Sequence, residues 1–196
     1  FLGITDRTTL NFATATSPLL VSSNPADDAT GFNGTSISLT FDRKMFKGAS
    51  RIAVYDAADD TEITSAGVAS SRVVINNNVV TFDLIKALPL GKQVYVKIAS
   101  GALKDVNNTF YAGIQDKTTL NFGTATRPQL VSTNPLDEAT EFSGTTISLI
   151  FDRNMIKGSG RISVKDAADD SEIVGAGVGS ARVSIVGNVV TLDLIN

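Results

Sequence analysis

The sequence contains no cysteine, no histidine and no tryptophan. Without cysteine, the chain can form neither disulfides nor thiolate sites. Without histidine, it cannot build the Ser-His-Asp or Cys-His arrangements that activate a nucleophile, or the Cys/His sites that hold zinc. Paired carboxylates hydrolyse glycosidic bonds only across a cleft, and here the acidic residues cluster in short turns. We therefore predict that the protein is not an enzyme and has no catalytic residues.

The charge of the chain is slightly negative and evenly spread. The net charge is -3 and the sequence pI is near 4.9, with 17 Lys and Arg residues scattered singly. No basic stripe is available to neutralise a phosphate backbone, so we predict no nucleic-acid partner. No apolar run approaches the roughly 18 residues of a membrane-spanning helix, so no membrane span is predicted in this segment.

The sequence repeats itself at a constant offset. Residues 6–86 align without a gap with residues 116–196, at an offset of 110 residues, and roughly two-thirds of the aligned positions are identical. A period of this length predicts units of ordinary domain size in tandem. We interpret residues 1–16 as the C-terminal strand of a preceding repeat, 17–125 as a complete repeat and 126–196 as a truncated repeat that lacks its last two strands. The chain is expected to be an excerpt from a longer array.

Within one repeat, short segments alternate apolar and polar residues. Residues 35–41 read Thr-Ser-Ile-Ser-Leu-Thr-Phe, which places the apolar side chains on one face of a half-buried strand. Comparable segments lie at 19–22, 51–55, 72–75, 79–84, 93–98 and 118–122. About seven short strands per repeat, with no helical period, predict an all-β protein made of antiparallel sandwiches. The predicted inward residues are Ile37, Leu39, Phe41, Ile52, Val54, Val80, Phe82, Leu84, Val94, Val96, Ile98, Leu120 and Phe122.

Several short motifs follow one another in a fixed order along the repeat. They are Asn24-Pro25 with acidic Asp27-Asp28, the strands at 37–42 and 95–98, Gly101-Ala102-Leu103-Lys104-Asp105, and a last strand that ends Phe122-Gly123-Thr124. In this order they resemble the bacterial Ig-like domain found in S-layer proteins and large surface adhesins. The chain departs from the family pattern at residues 105–109, where the family usually has Asp, two residues and then Gly-Asn.

The resemblance implies tandem immunoglobulin-like antiparallel β-sandwiches on the outside of a bacterial cell. It implies a structural role in a secreted array, such as an S-layer, an adhesin stalk or a filament, with neighbouring repeats or copies of the protein as partners. The alternative is an adhesive module that binds glycans or a host surface. Near-identical copies without an unusual loop favour the structural role.

The densest acidic cluster occurs in both copies. It comprises Asp56, Asp59, Asp60 and Glu62, and again Asp166, Asp169, Asp170 and Glu172. Calcium takes about six to eight oxygen ligands, of which carboxylates in a short loop could supply several, and the resemblance implies calcium as a stabiliser in some members. The alternative is a solvated turn between strands, a position that Asp favours. No other cofactor is predicted.

A second acidic group lies near the boundary between repeats. Asp27 and Asp28 follow the Asn-Pro motif, and Asp105 belongs to the long loop of the same repeat. Carboxylates brought together there could clamp successive repeats through a cation. The alternative is a solvated acidic loop.

The truncated repeat predicts an incomplete sheet. An unpaired strand edge invites a partner strand, and Thr8, Thr9, Leu10, Asn11 and Phe12 carry the same sequence as the last strand of a repeat. We predict that these residues, or their equivalents in a neighbouring chain, are donated to complete such a sheet.

Overall fold

The computed structural model describes residues 3, 7–8 and 11–195. These residues form seventeen strands and no helix, so the predicted all-β class is confirmed. They fall into two compact units, Phe1–Thr126 and Arg127–Asn196. Over the described part of the chain, no helix is long and apolar enough to cross a membrane.

The described residues of the first unit form eleven strands. They are β1 (Leu20–Asn24), β2 (Ala29–Phe32), β3 (Ser36–Phe41), β4 (Phe46–Lys47), β5 (Arg51–Asp56), β6 (Glu62–Gly67), β7 (Val73–Asn76), β8 (Val79–Asp83), β9 (Gln93–Ile98), β10 (Leu103–Lys104) and β11 (Asn121–Thr124). One sheet has the order β1-β3-β8-β7, and a second has the order β2-β11-β9-β5-β6. Strands β4 and β10 form a separate antiparallel pair.

The core of the first unit lies between these two sheets. In β3, Ile37, Leu39 and Phe41 are at most 1% exposed, as their alternation with polar residues requires. Strands β5 and β9 supply the opposite wall of the same hydrophobic cluster. All thirteen predicted core residues are buried, so that prediction is confirmed.

Strand β2 closes the second sheet and was not predicted from the sequence. It pairs in parallel with β11, whose other edge pairs antiparallel with β9. The backbone N–H of Asp28 donates to the Asn121 carbonyl at 2.8 Å, and the rings of Phe32 and Phe122 meet edge to face at 5.1 Å. The beginning and the end of the repeat are therefore joined in one sheet.

The second unit contains six strands. They are β12 (Leu130–Asn134), β13 (Thr146–Phe151), β14 (Arg161–Lys165), β15 (Glu172–Gly177), β16 (Val183–Val186) and β17 (Val189–Asp193). Each begins 110 residues after its counterpart among β1, β3, β5, β6, β7 and β8, and the pairings are the same: β12-β13-β17-β16 in one sheet and β14-β15 in the other. The copied sequence thus adopts the copied strand arrangement.

The second unit has a smaller core because β9 and β11 have no counterpart in it. Only four hydrophobic residues of its cluster are buried, and Leu149 and Phe151 are half-buried where Leu39 and Phe41 are fully buried. Residues 139–142, the counterpart of β2, form no strand, and Phe142 is 43% exposed. In the first unit the corresponding segment, β2, is paired with β11.

The strands of the first unit are more numerous than the seven we predicted. The additional ones are β2, β6 and the two-residue strands β4 and β10. The last strand begins at Asn121 instead of Thr118, because Thr118 and Thr119 donate their backbone N–H groups to the Asp116 carboxylate in a turn.

Candidate functional site

The first acidic cluster forms the turn between β5 and β6. Asp56 is 4% exposed, and its carboxylate accepts from the Ala58 N–H at 3.0 Å and pairs with Lys92 at 2.7 Å. The hydrogen bond from Lys92, together with that from Ala58, holds the pKa of Asp56 below its usual value. This carboxylate is therefore ionised and already neutralised by a lysine.

The other three carboxylates of the cluster have partners of their own. Asp59 accepts from the N–H and hydroxyl of Thr61, at 3.0 and 2.7 Å, which closes the turn. Asp60 accepts from the Tyr95 hydroxyl at 2.9 Å and pairs with Lys117. Glu62 accepts from Ser65 and Tyr55 and pairs with Arg51 at 2.9 Å. Each of the four carboxylates thus binds its own protein groups, and the four do not meet at a common centre.

The copy of this cluster in the second unit forms the same turn, but Asp166 is exposed and Asp170 has a different partner from Asp60. Asp166 and Asp169 accept backbone N–H groups two residues later in the turn, at 2.8 and 2.9 Å. Asp170 pairs with Lys165 at 2.8 Å, and Glu172 pairs with Arg161. The Arg161 contact, followed by that of Ser163, lowers the pKa of Glu172 to about 2.

The second acidic group is not brought together by the fold. Asp27 accepts from the Asn121 backbone N–H at 2.9 Å, and Asp28 lies in the turn before β2 with φ of 57°. Asp105 is 2% exposed and caps the turn at 105–109 by accepting from the N–H groups of Asn107 and Thr109, at 2.8 and 2.9 Å. Across the described ranges, no three acidic side chains are grouped so that they could hold a metal ion. For both groups, calcium binding and the solvated turn or loop stay alternative predictions.

The predicted donor strand lies partly outside the described residues, since Thr9 and Leu10 are not among them. Asn11 and Phe12 belong to no strand, and Phe12 is 80% exposed. Donation of this segment to a neighbouring chain stays a prediction.

Sequence reasoning missed a group of side chains on the outer face of the second sheet. Tyr55 in β5 and Tyr95 in β9 are cross-strand neighbours whose rings stack at 5.4 Å with an interplanar angle of 19°. The ammonium of Lys97 lies over both rings, 5.4 Å from the Tyr55 centroid and 5.6 Å from the Tyr95 centroid. Tyr95 is 1% exposed although it points away from the core. Burial, then the hydrogen bond to Asp60, raises the pKa of Tyr95 to about 12, so this hydroxyl stays protonated and donates.

Beside this stack lies a basin of about 180 Å³ lined by Arg51, Ala53, Tyr55, Lys97, Ala99 and Gln115. The basin lies on the outward face of β5. Its three residues from this strand, Arg51, Ala53 and Tyr55, alternate with Ile52 and Val54, which are completely buried in the core. One signal in the sequence marks this face. In β5 the outward residues Ala53 and Tyr55 are replaced by Ser163 and Lys165 in the second copy, while Ile52 and Val54 are retained as Ile162 and Val164.

Comparison with known proteins gives one family match. The family model described as "Bacterial Ig-like domain" matches residues 14–124. A search of curated protein sequences finds no match to the chain.

A search of solved structures gives several matches. CopC from Methylosinus trichosporium OB3b is 14% identical with a TM-score of 0.41, over 58% of this chain and 99% of that chain. The N-terminal part of the bacterial S-layer protein SbsC is 14% identical with a TM-score of 0.40, over 92% of this chain and 45% of that chain. Domains 1–6 of surface layer protein SbsC are 17% identical with a TM-score of 0.40, over 93% of this chain and 26% of that chain. At these scores the likenesses decide nothing about the function of this chain.

Proposed function

The chain belongs to the bacterial Ig-like domain family, and we propose from this premise that it is a structural, non-catalytic repeat of an extracellular cell-surface assembly. The assembly would be an S-layer, an adhesin stalk or a filament. The observation that carries the proposal is the equivalence of the two copies: six strands recur at an offset of 110 residues with the same partners. Repeated modules provide length and regular spacing, which is what such an assembly requires.

We propose that successive repeats are joined end to end by a short, stiff linker. Residues 124–128 read Thr-Ala-Thr-Arg-Pro, and proline restricts the backbone of such a linker. The start of the repeat is anchored to its own sandwich, because Arg43 donates to the Thr16 carbonyl at 3.0 Å and Asp42 accepts from the Leu19 N–H at 3.0 Å. In the second unit Asp152 accepts from the Gln129 N–H at the same distance. An anchored start supports a fixed direction of entry into each repeat.

Strand addition is the second mode of assembly that we propose. Strand β14 pairs with β15 on one edge and has no strand on its other edge among the described residues, whereas its counterpart β5 lies between β6 and β9. A strand supplied by a neighbouring repeat or by another chain would take the place beside β14 that β9 takes beside β5. Sedimentation of the chain with and without residues 1–16 tests the donor segment. Concentration-dependent dimers that disappear in the shortened chain would support donation, and a monomer at all concentrations would exclude it.

Two experiments test the structural role itself. Brief protease treatment of intact cells should release peptides of the repeat into the medium, and recovery of these peptides only after lysis would contradict a surface location. Small-angle scattering of the chain should give an extended pair-distance distribution. A compact distribution would contradict end-to-end joining while leaving the surface location standing.

A further inference from the structure

We propose that the basin on the outer face of β5 and β9 is a binding site for a carboxylated saccharide such as a uronic acid unit of an acidic polysaccharide. The site is formed by Arg51, Tyr55, Lys97 and Gln115. The proposal does not depend on the structural role of the repeats, because it rests on the outer face of one sheet of the first unit.

The basin exists because two outward positions carry alanine. Ala53 in β5 lies opposite Lys97 in β9, and Ala99 follows β9 with its N–H donating to the Arg51 carbonyl at 3.1 Å. The larger side chains of Arg51, Tyr55, Lys97 and Gln115 surround these two small ones. A recess on an otherwise flat sheet face results, and its walls carry hydrogen-bond donors.

The charge of the basin is positive and is centred on Lys97. Arg51 is paired with Glu62, and the nearby Lys117 is paired with Asp60. Lys97 is half-buried and forms no ion pair with any of the described residues; its ammonium lies over the two tyrosine rings, and the acidic charge that it senses, Asp60, is already paired with Lys117. A carboxylate entering the basin would supply the missing counter-ion, and partial burial strengthens such a pair relative to one in open water.

The donors in the basin are held in place before a ligand arrives. Glu62 accepts from Tyr55 at 3.1 Å and from Arg51 at 3.3 Å, and Arg51 donates to the Tyr55 hydroxyl at 3.2 Å. The Gln115 side-chain amide donates to the Ile98 carbonyl at 2.9 Å, which fixes its orientation. The single Tyr55 proton is already given to Glu62, so the donors left for a ligand are on Lys97, Arg51 and the second N–H of Gln115. Fixed groups next to an aromatic wall suit a sugar ring with a carboxylate better than a flexible acidic side chain, because less freedom is lost on binding.

In the second copy, the strands that correspond to β5 and β6 carry different residues on this face. Lys165 occupies the position of Tyr55, and it is neutralised by Asp170 at 2.8 Å. Ser163 stands in place of Ala53, and Gly175 in place of Ser65. The changes fall on the outward face and leave the inward residues of this strand intact, which separates the site from the requirements of folding.

The test is a titration of the isotope-labelled chain with an oligogalacturonide, followed by amide NMR. We expect saturable shifts at Ala53, Lys97 and Ala99, and no comparable shifts with the methyl-esterified oligomer, which keeps the sugar rings and removes the charge. Lys97→Gln should weaken binding at least about tenfold, since it removes the unpaired cation. Lys44→Gln is the matched control, because Lys44 lies over Phe46 elsewhere on the unit; it should stay within about twofold.

Three results would overturn the proposal. The first is the absence of shifts at about 10 mM oligomer, a concentration at which even weak sites are partly filled. The second is equal binding of the esterified and the unesterified oligomer. The third is equal binding by the Lys97→Gln protein and the unmodified chain. The amide spectrum shows whether each variant is folded. If a variant does not fold, the shifts of the unmodified chain still test the location of the site. Self-association that Lys97→Gln abolishes, without oligogalacturonide binding, would mean that the basin takes a protein carboxylate and would also overturn the assignment.

Discussion

Nη1 of Arg43 lies 3.6 Å from Oδ2 of Asp105, a carboxylate that is only 2% exposed. Oδ2 has no hydrogen-bond partner within the described residues, while Oδ1 accepts two backbone N–H groups of its own turn. The guanidinium also reaches the carbonyl of Thr16 at 3.0 Å. One arginine therefore connects the start of the repeat with the buried carboxylate of its long loop.

Removing this carboxylate should destabilise the first unit. In Asp105→Ala the N–H groups of Asn107 and Thr109 lose their acceptor, which predicts a loss of about 2 to 3 kcal/mol in the free energy of unfolding. All three tyrosines of the chain lie in the first unit, so tyrosine fluorescence in urea reports that unit alone. Asp28→Asn is the control, because asparagine tolerates the positive φ at this exposed position. A change below about 0.5 kcal/mol in Asp105→Ala would show that the cap is unimportant.

Gly48 and Gly158 offer a matched pair of substitutions. A Cβ on Gly48 would lie 2.1 Å from the Gly101 carbonyl oxygen, whereas a Cβ on Gly158 would meet nothing within 4 Å. Gly48→Ala must push apart the strands β4 and β10, so we expect a loss of about 1 to 3 kcal/mol in the stability of the first unit. Gly158→Ala should be neutral or stabilise the second unit by up to about 1 kcal/mol. Hydrogen exchange of each unit measures both, and equal effects would contradict the close approach at Gly48.

Leu39 and Leu149 test how far burial differs between the copies. Leu39 is completely buried and its counterpart Leu149 is half-buried. Leu39→Ala should cost the first unit about 2 to 5 kcal/mol, and Leu149→Ala should cost the second unit clearly less, because part of its surface already faces solvent. Amide exchange in β3 and β13 reports the two losses separately. A larger loss at Leu149 would mean that the second unit buries this residue in solution.

Acid should destabilise both units. In the first unit, hydrogen bonds lower the pKa of Asp56 and of Asp116. The largest contribution comes from Lys92 for Asp56 and from Thr119 for Asp116. In the second unit, the pKa of Asp152 is lowered to about 2, chiefly by its hydrogen bond from Arg153. The pKa of Glu172 is also lowered to about 2, chiefly by its hydrogen bond from Arg161. A carboxyl group whose pKa is lower in the folded than in the unfolded state stabilises the fold at pH values above its unfolded-state pKa. This stabilisation is lost as the pH falls through the folded-state pKa. The melting temperature should therefore be level above about pH 5 and should fall between about pH 4.5 and pH 2.

A substitution checks the origin of this pH dependence. Asp56→Asn keeps an acceptor for the Ala58 N–H but cannot ionise, so the melting temperature of the first unit should fall less steeply with acid. An unchanged slope would assign the acid sensitivity to other carboxylates.

Excess chelator should leave the melting temperature of the chain unchanged. Each carboxylate of the turn after β5 already accepts from a protein donor, among them Lys92, Thr61 and Tyr95. A calcium ion would have to displace these partners before it gathered enough oxygens. A melting temperature that falls in chelator and recovers with added calcium would contradict this reading and establish the alternative metal site.

Local alternation predicted the core but not the closure of the sheets. Leu39, Val96 and Phe122 were identifiable because every second residue of a strand faces the same side. Strand β2 was not, since Ala29–Phe32 includes a glycine at φ of 75° and becomes a strand only by pairing with β11. Pairing between segments that are distant in sequence leaves no local pattern.

The same limit applies to the candidate site. The sequence offers Glu62 only as a candidate calcium ligand or a residue of a solvated turn; it gives no sign that Glu62 lies in β6 and orders Tyr55 and Arg51. Tyr55 and Tyr95 meet only because β5 and β9 are paired in one particular register. Such a register is set by the whole sheet.

The contact between Asp27 and Asn121 spans 94 residues, and it has a consequence for how a row of these modules is made. A module cannot seal its second sheet until nearly all of it has left the ribosome, which at usual rates of synthesis takes about 5 to 20 seconds. During that interval the half-built sandwich exposes apolar surface, so the stretch of the first unit that is at risk of aggregation is nearly one module long.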